Sequence, residues 1–405
     1  MIVKGPVKEE LRKELLAIGF DEVRFAELDP PIPNRLKDWV GKGYHADMDW
    51  FARSLDKRLD PKRVLDSACS AIMLGTNYWP MDSSAARQSR WAKYSLYEDY
   101  HDTILKGLKK AASILEASFG FRSSDYRYYV DSGPVLERGW AAASGMGWQG
   151  KNGMLISKKH GNWLLLSAII VKRRIERDPP LKKRLANQPN HLELGAHCGK
   201  CERCISACPT DAIVEPGIVD SRKCISYHTI ENKGVIPRWI RPGIGQRIFG
   251  CDICLDVCPW NRFAKSGRQL LLESRYGIPD LTLLEILTMK IDHFRDIFRK
   301  SPIKRLKLRG LLRNACVVAG NLDSNSEWLQ SISPEWRSPL RDTLLALAFH
   351  EEAMVRPHAI WALFRLYGRE IGQDIEPLLN REQNELAKDE FDWWERRLGG
   401  TSESA

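Results

Sequence analysis

Eight cysteines carry the clearest chemistry in this chain. They run Cys198-x2-Cys201-x2-Cys204-x3-Cys208-Pro209, then Cys224, then Cys251-x2-Cys254-x3-Cys258-Pro259. The first run is the bacterial ferredoxin pattern, in which three closely spaced thiolates hold one 4Fe–4S cube and a fourth, before proline, crosses to a second. The count closes with Cys198, Cys201, Cys204 and Cys258 on one cluster. Cys208, Cys224, Cys251 and Cys254 then hold the other. The second run lacks its first cysteine, so Cys224 replaces it from a distance. Zinc also takes Cys-x2-Cys pairs, and eight thiolates would hold two zinc ions. The two cysteine–proline terminators favour iron–sulfur. Cys69 and Cys316 read as ordinary buried thiols.

Clusters move electrons, so another group must receive them. In Tyr129-Val-Asp-Ser-Gly-Pro-Val-Leu-Glu-Arg138, Asp131 falls where a strand ends and a Gly-Pro turn begins, which sets a carboxylate at a cleft mouth or makes it a helix cap. Gly145, Gly147, Gly150 and Gly153 give a backbone that a large ligand approaches closely, or a plain flexible loop. Three of them spell G-x-G-x-x-G without the preceding strand that a dinucleotide fold requires. Tyr94, Tyr97, Tyr100 and His101 either line a pocket or form the buried edge of a helix. Ser226, Tyr227 and His228 follow Cys224 and face a cluster or a cofactor. No Asp-x-His-x-x-Gly cobalamin fingerprint occurs, so any corrinoid here lacks a protein imidazole as its lower ligand. Nine Lys/Arg against two Asp between Lys290 and Arg313 suggest phosphate contacts.

These groups need a scaffold. Leu11, Leu15, Leu16 and Ile18 mark an amphipathic helix, followed by a strand at 22–26. Further strands are expected at 71–78, 126–130 and 164–171, and a helix at 100–118. Helices alternating with strands imply an α/β or α+β domain over the first 175 residues or so. A basic, proline-containing stretch at 172–184 leaves it. Beyond residue 281 only helical periodicity remains, with Pro357 in a first turn, and the paired short helices resemble a HEAT-like repeat. The tail from Gly399 is expected to fray. The chain has 405 residues, 43% hydrophobic and 28% charged, with 62 Lys+Arg against 52 Asp+Glu for a net +10. That composition argues against disorder, and the excess positive charge hints at a polyanionic partner. No apolar run approaches the ~20 residues of a bilayer span. The acid-containing N-terminus reads as neither a secretory nor a twin-arginine leader.

Taken together, these segments resemble one family, the epoxyqueuosine reductases. The residues that carry the resemblance are Arg58-Leu-Asp-Pro61, Tyr94 to His101, Val130 to Arg138, Gly147-Trp-Gln-Gly-Lys-Asn152, the cysteine pattern, Ser226-Tyr-His-Thr-Ile-Glu231 and Leu311-Leu-Arg-Asn-Ala315. The resemblance implies a cytoplasmic monomer of α+β multidomain build that uses cobalamin and two 4Fe–4S clusters. It implies an α/β cobalamin-binding domain at 1–185, a ferredoxin-like domain at 186–265 and an all-α HEAT-like domain at 280–390. The implied reaction is reduction of epoxyqueuosine to queuosine at the wobble position of tRNAs with GUN anticodons, with electrons from an external low-potential donor. Asp131 matches the family's proposed proton donor, and a raised pKa would let it hold that proton. Arg58, Tyr94, Ser157, Ser226, Cys251 and Asp252 match positions near the corrinoid. Arg305, Lys307, Arg309 and Arg313 would meet the anticodon stem-loop. The alternatives are a reductive dehalogenase-like corrinoid enzyme and a ferredoxin-type electron-transfer module.

Overall fold

The computed structural model describes residues 2–29, 32, 34–79, 90–181, 192–275, 277–322, 337–379 and 385–399. Residues 182–184 of the basic stretch and 400–405 of the tail lie outside the described residues. The chain forms two compact units. The first comprises Met1–Arg87, Tyr97–Cys224 and Asp252–Arg275, and the second Gln88–Leu96, Ile225–Cys251 and Tyr276–Ala405. Among the described residues, no helix is long and apolar enough to cross a membrane.

The first unit is built on a four-stranded sheet in the order β1-β2-β6-β3. Its strands are β1 (Glu22–Glu27), β2 (Ser70–Asn77), β3 (Tyr126–Val130) and β6 (Leu164–Val171). The expected strand and helix positions hold to within a residue or two. Strand direction does not follow the α/β expectation, because every pairing in this sheet is antiparallel. Helix–strand alternation predicts parallel crossovers only when each connection returns the chain to the same end of the sheet. Here the unit is α+β.

Buried Ala71, Met73, Ala168 and Ile170 pack with Trp140, Ala141 and Ala142 of the helix that follows β3. The α1 helix (Gly5–Ile18) packs against α2 (Tyr100–Phe119). Asp178 fixes α1 to the sheet, accepting from Lys8 Nζ at 3.3 Å, Arg12 Nη2 at 2.6 Å and Phe25 N at 2.9 Å. After β3 come α3 (Glu137–Ala143) and a small hairpin of β4 (Trp148–Gln149) and β5 (Leu155–Ile156). The cysteine-bearing segments complete the unit: two four-residue helices, Arg203–Ser206 and Ile253–Asp256, in contact with one another, and the hairpin of β7 (Ile213–Glu215) and β8 (Ile218–Val219).

In the second unit the principal helices are α4 (Ile225–Ile230), α5 (Lys307–Gly320), α6 (Arg337–Leu347), α7 (Arg356–Tyr367) and α8 (Glu385–Gly399). Packing converges on α7, which touches α5, α6 and α8. Its segment from Pro357 to Phe364 is buried on every side, as a central helix must be.

Candidate functional site

Asp131 lies one residue past β3, in a turn closed by a hydrogen bond from Ser132 N to Val130 O at 2.5 Å. Its φ of +57° makes this the rare, strained hand of a γ-turn, outside the region a non-glycine residue normally takes. Gly133 is obligatory two residues on, because a Cβ there would sit 2.3 Å from the Tyr129 ring. The turn holds the Asp131 side chain open, with 65% of its surface accessible. Two donors from the start of α2 reach it. Tyr100 Oη donates to Asp131 Oδ2 at 2.6 Å, and His101 Nε2 lies 3.5 Å from the same oxygen. Asp99 caps α2 by accepting from His101 N, and its Oδ1 is 2.8 Å from His101 Nδ1. The imidazole therefore sits between two carboxylates and stacks on Tyr100 at 4.1 Å.

Charge follows from this geometry. Desolvation pulls His101 down, but hydrogen bonds to Asp131 and Asp99 outweigh it and raise its pKa to about 9. Desolvation pulls Asp131 up, but hydrogen bonds from His101 and Tyr100, with the charges of His101 and Arg138, hold it at about 2. The expected raised pKa at Asp131 is thus reversed. At neutral pH the carboxyl is an anion and the proton rests on the imidazole. Glu137, six residues on at the start of α3, behaves oppositely. Desolvation and the Asp131 charge push it up to about 8, against its own backbone N–H, Arg58 and Arg138. Its Oε1 is buried without a hydrogen-bond partner among the described residues. Arg58 is 8% exposed; its Nε donates to Ser54 Oγ at 2.9 Å and its guanidinium lies 4.7 Å over Phe51.

Four of the eight cysteines are brought together. Cys198, Cys201, Cys204 and Cys258 line one cavity with Lys151, Arg203 and Trp260. Burial, then the neighbouring Cys198 sulfur, pushes the Cys204 thiol up to about 11, and burial raises Cys258 as well. Thiols held protonated must release protons when metal binds. Zinc would need sulfurs roughly 3.8 Å apart, from tetrahedral Zn–S bonds of about 2.3 Å. Among the described residues no such single-ion group of three or more ligands occurs. Four thiols around one cavity supply one ligand for each iron corner of a cube.

Of the second set, Cys208, Cys224 and Cys254 belong to the first unit, and Cys251 to the second. Cys208 Sγ accepts from Ala212 N at 3.3 Å. Cys316 is buried as expected, while Cys69 is only half-buried.

Sequence inspection missed the braces of the cysteine loops. Asn152 Nδ2 donates to Asn162 Oδ1 at 2.8 Å and to Cys254 O at 3.2 Å. Asn261 Oδ1 accepts from Asn162 N, and Asn261 Nδ2 donates to Leu255 O at 2.6 Å. The glycine-rich loop likewise serves packing: a Cβ at Gly147 would lie 2.3 Å from Ile156 O.

The remaining predicted residues lie on several segments of the chain. Ser157 is buried, and its hydroxyl accepts from Lys159 N. Asp252 leads into the helix Ile253–Asp256. Tyr94 and Ser226 belong to the second unit, where the Tyr94 ring lies 6.0 Å from Phe249. Arg313 overturns its expected role in tRNA contact, because it is 0% exposed. It donates to His228 O at 2.7 Å, Asn232 O at 2.7 Å and Gly234 O at 2.9 Å, bracing α4 from α5. Arg305 is half-exposed and paired with Glu231 at 2.9 Å, Arg309 lies 3.5 Å from Glu352, and Lys307 is exposed.

Comparison with known proteins decides among the three functional readings. Residues 197–261 match the 4Fe-4S double cluster binding domain, and residues 58–132 match the family described as Epoxyqueuosine reductase QueG, DUF1730. An epoxyqueuosine reductase of Cellulophaga algicola is 37% identical over 306 residues, 76% of this chain and 94% of the relative. The chain belongs to the epoxyqueuosine reductase family. Within that family, a crystal structure of an epoxyqueuosine reductase with an epoxyqueuosine-modified tRNA-Tyr stem loop aligns over 97% of this chain and 99% of its own, at a TM-score of 0.78 and 25% identity. A Bacillus subtilis epoxyqueuosine reductase, described with its catalytic aspartate loop swung out of the active site, covers 95% and 97%, at a TM-score of 0.72 and 25% identity. Family membership makes the chain an oxidoreductase with a double 4Fe–4S domain.

Proposed function

We infer that this chain reduces epoxyqueuosine to queuosine in tRNA. The net change removes the epoxide oxygen: an epoxide, two electrons and two protons become a carbon–carbon double bond and water. The observation that carries the reading is family membership over about three quarters of the chain together with an accessible carboxylate in a strained turn, clamped by a tyrosine and an imidazolium. The Bacillus subtilis enzyme is described with a catalytic aspartate loop swung out of its active site, and Asp131 is the matching candidate here.

The chain's own groups supply one of the two protons, and solvent supplies the other. His101 holds one at neutral pH between Asp99 and Asp131, and Asp131 hands it to the oxygen that leaves carbon. Tyr100 fixes the carboxylate throughout. Cobalamin, when bound, supplies the low-valent cobalt that side chains lack. The open Asp131 carboxylate and the orphaned Glu137 Oε1 support room for such a group beside this turn. The resemblance assigns it Arg58, Tyr94, Asp131, Ser157, Ser226, Cys251 and Asp252.

The reading divides labour among residues 1–185 for cobalamin, 186–265 for the clusters and a HEAT-like 280–390 for tRNA. The chain acts as a cytoplasmic monomer fed by an external low-potential donor. The resemblance adds the wobble position of GUN anticodons, in a loop whose unstacked bases can enter a pocket. With Arg313 buried, Arg305, Lys307 and Arg309 remain for the phosphates. Reversing charge at Arg305 and Lys307 should weaken stem-loop binding and lower the salt slope by about 2, as expected for two lost phosphate contacts; unchanged binding would place the RNA elsewhere. The function itself is tested by anaerobic reconstitution, expected to give about eight irons per chain. Addition of cobalamin, a low-potential reductant and epoxyqueuosine-tRNA should then yield queuosine on nucleoside analysis. Intact clusters and corrinoid without queuosine would refute it.

A further inference from the structure

The chain's side chains contain no low-potential reductant, so electrons must arrive from outside. We propose that the surface around the Cys198–Cys258 cavity docks a small acidic electron-carrier protein, with Lys200, Arg203 and Arg262 as its electrostatic contacts. The proposal rests on the reading that Cys198, Cys201, Cys204 and Cys258 hold a cluster.

Three observations on the first unit support it. All four cysteines are half-buried rather than sealed, so their cluster would lie close to solvent. The charged side chains that line their cavity, Lys151 and Arg203, are both cations. Lys151 is met by Glu202 at 3.8 Å. Arg203 is exposed, as are Lys200, between Cys198 and Cys201, and Arg262, and none of the three has a carboxylate partner among the described residues. Beside the opening stands an uncovered aromatic: Phe263 is 45% exposed, lies 5.7 Å from Trp260 of the cavity wall and carries the Arg262 guanidinium 4.5 Å above its ring. Aromatic and arginine side chains at the centre with unpaired charge around them are the composition of a transient protein interface. Cations of one sign draw an acidic partner and orient it during encounter.

Docked there, the carrier gives one electron per encounter. A flavin hydroquinone anion becomes the neutral semiquinone, and the cluster passes from the 2+ to the 1+ state with no proton moved. Two such transfers match the two electrons of one epoxide.

The test mixes the reconstituted full-length protein anaerobically with a reduced acidic flavodoxin, or with dithionite, and follows bleaching of the cluster absorbance. In the triple variant Lys200→Glu, Arg203→Glu, Arg262→Glu, reduction by flavodoxin should slow at least about tenfold at low salt, with iron content and dithionite rate unchanged. In the wild type, added salt should slow flavodoxin but leave dithionite unaffected, since exposed charges are screened within about 10 Å at 0.1 M. A wild-type flavodoxin rate independent of salt, or equal rates in the triple variant, overturns the docking face and leaves the cluster reading intact. Failure of dithionite to bleach the wild type overturns the cluster reading and the proposal with it.

Discussion

Asp131 and Glu137 stand six residues apart on one connection, and they hold opposite charge states at neutral pH. Asp131 is open to solvent, yet Tyr100 and His101 keep it ionised, with a pKa of about 2. Glu137 has a buried oxygen that nothing satisfies, and burial with the nearby Asp131 charge keeps it protonated, with a pKa of about 8. The difference shows that partners, not burial alone, assign protonation. Two carboxyls whose environments push their pKa values apart mark a site of acid–base work. In this pair the exposed anion is placed to touch a substrate, and the buried acid keeps a second negative charge away from it.

Breaking the clamp should have the larger effect. The double variant Tyr100→Phe, His101→Gln leaves Asp131 without its donors, so its pKa moves upward and the imidazolium proton is gone. Epoxide reduction should fall about 10–100-fold, within the range general acid catalysis supplies. The alkaline limb near pH 9 in kcat/KM should vanish with it. A profile that keeps that limb would detach His101 from the proton path.

Glu137→Gln sharpens the contrast from the other side. Glutamine mimics the protonated acid, so activity at pH 7 should stay within about threefold. Stability is the more telling readout. Because the folded pKa of Glu137 is raised, its contribution is fully present below about 4.5 and is lost as pH rises through about 8. Across that window a single group of this kind changes stability by at most about 1.4 kcal/mol per pH unit. Denaturant midpoints of Glu137→Gln should decline less steeply than wild type between pH 5 and 8. Parallel curves would mean that Glu137 is already ionised in the native protein. A smaller effect is expected at acid pH. The depressed pKa of Asp131 makes its contribution fully present above about 4 and lost as pH falls through about 2, so the stability gap between wild type and Asp131→Asn should shrink over that acid range.

Local spacing made much of this molecule legible. The strands at 126–130 and 164–171 are short β-rich runs with polar or turn residues at their ends, and they appear in place. The Cys198–Cys204 loop was readable because its ligands lie within seven residues. Cys258 joined it through a known crossing pattern, not through anything local. Strand direction was invisible, since alternation of helices and strands records order but not which end of the sheet each connection reaches.

The asparagine brace escaped because Asn162 and Asn261 meet across 99 residues. Arg313 was misassigned because a count of basic residues carries no sign of which side chain turns inward. Its guanidinium serves three backbone carbonyls, and each would be costly to leave unsatisfied, by about 1–3 kcal/mol. The low pKa of Asp131 was hidden for a similar reason. The sequence placed His101 thirty residues away, and only the fold sets the two side by side.

The central claim is that Asp131, not Glu137, serves the epoxide. It is tested most directly by one side-by-side single-turnover measurement. Asp131→Asn and Glu137→Gln, each loaded with clusters and cobalamin and pre-reduced, are mixed with epoxyqueuosine stem-loop, and queuosine is quantified over time. Glu137→Gln should form queuosine at close to the wild-type rate, and Asp131→Asn should be slower by about two to four orders of magnitude while still binding corrinoid. Wild-type turnover by Asp131→Asn, or loss of turnover confined to Glu137→Gln, would contradict the account.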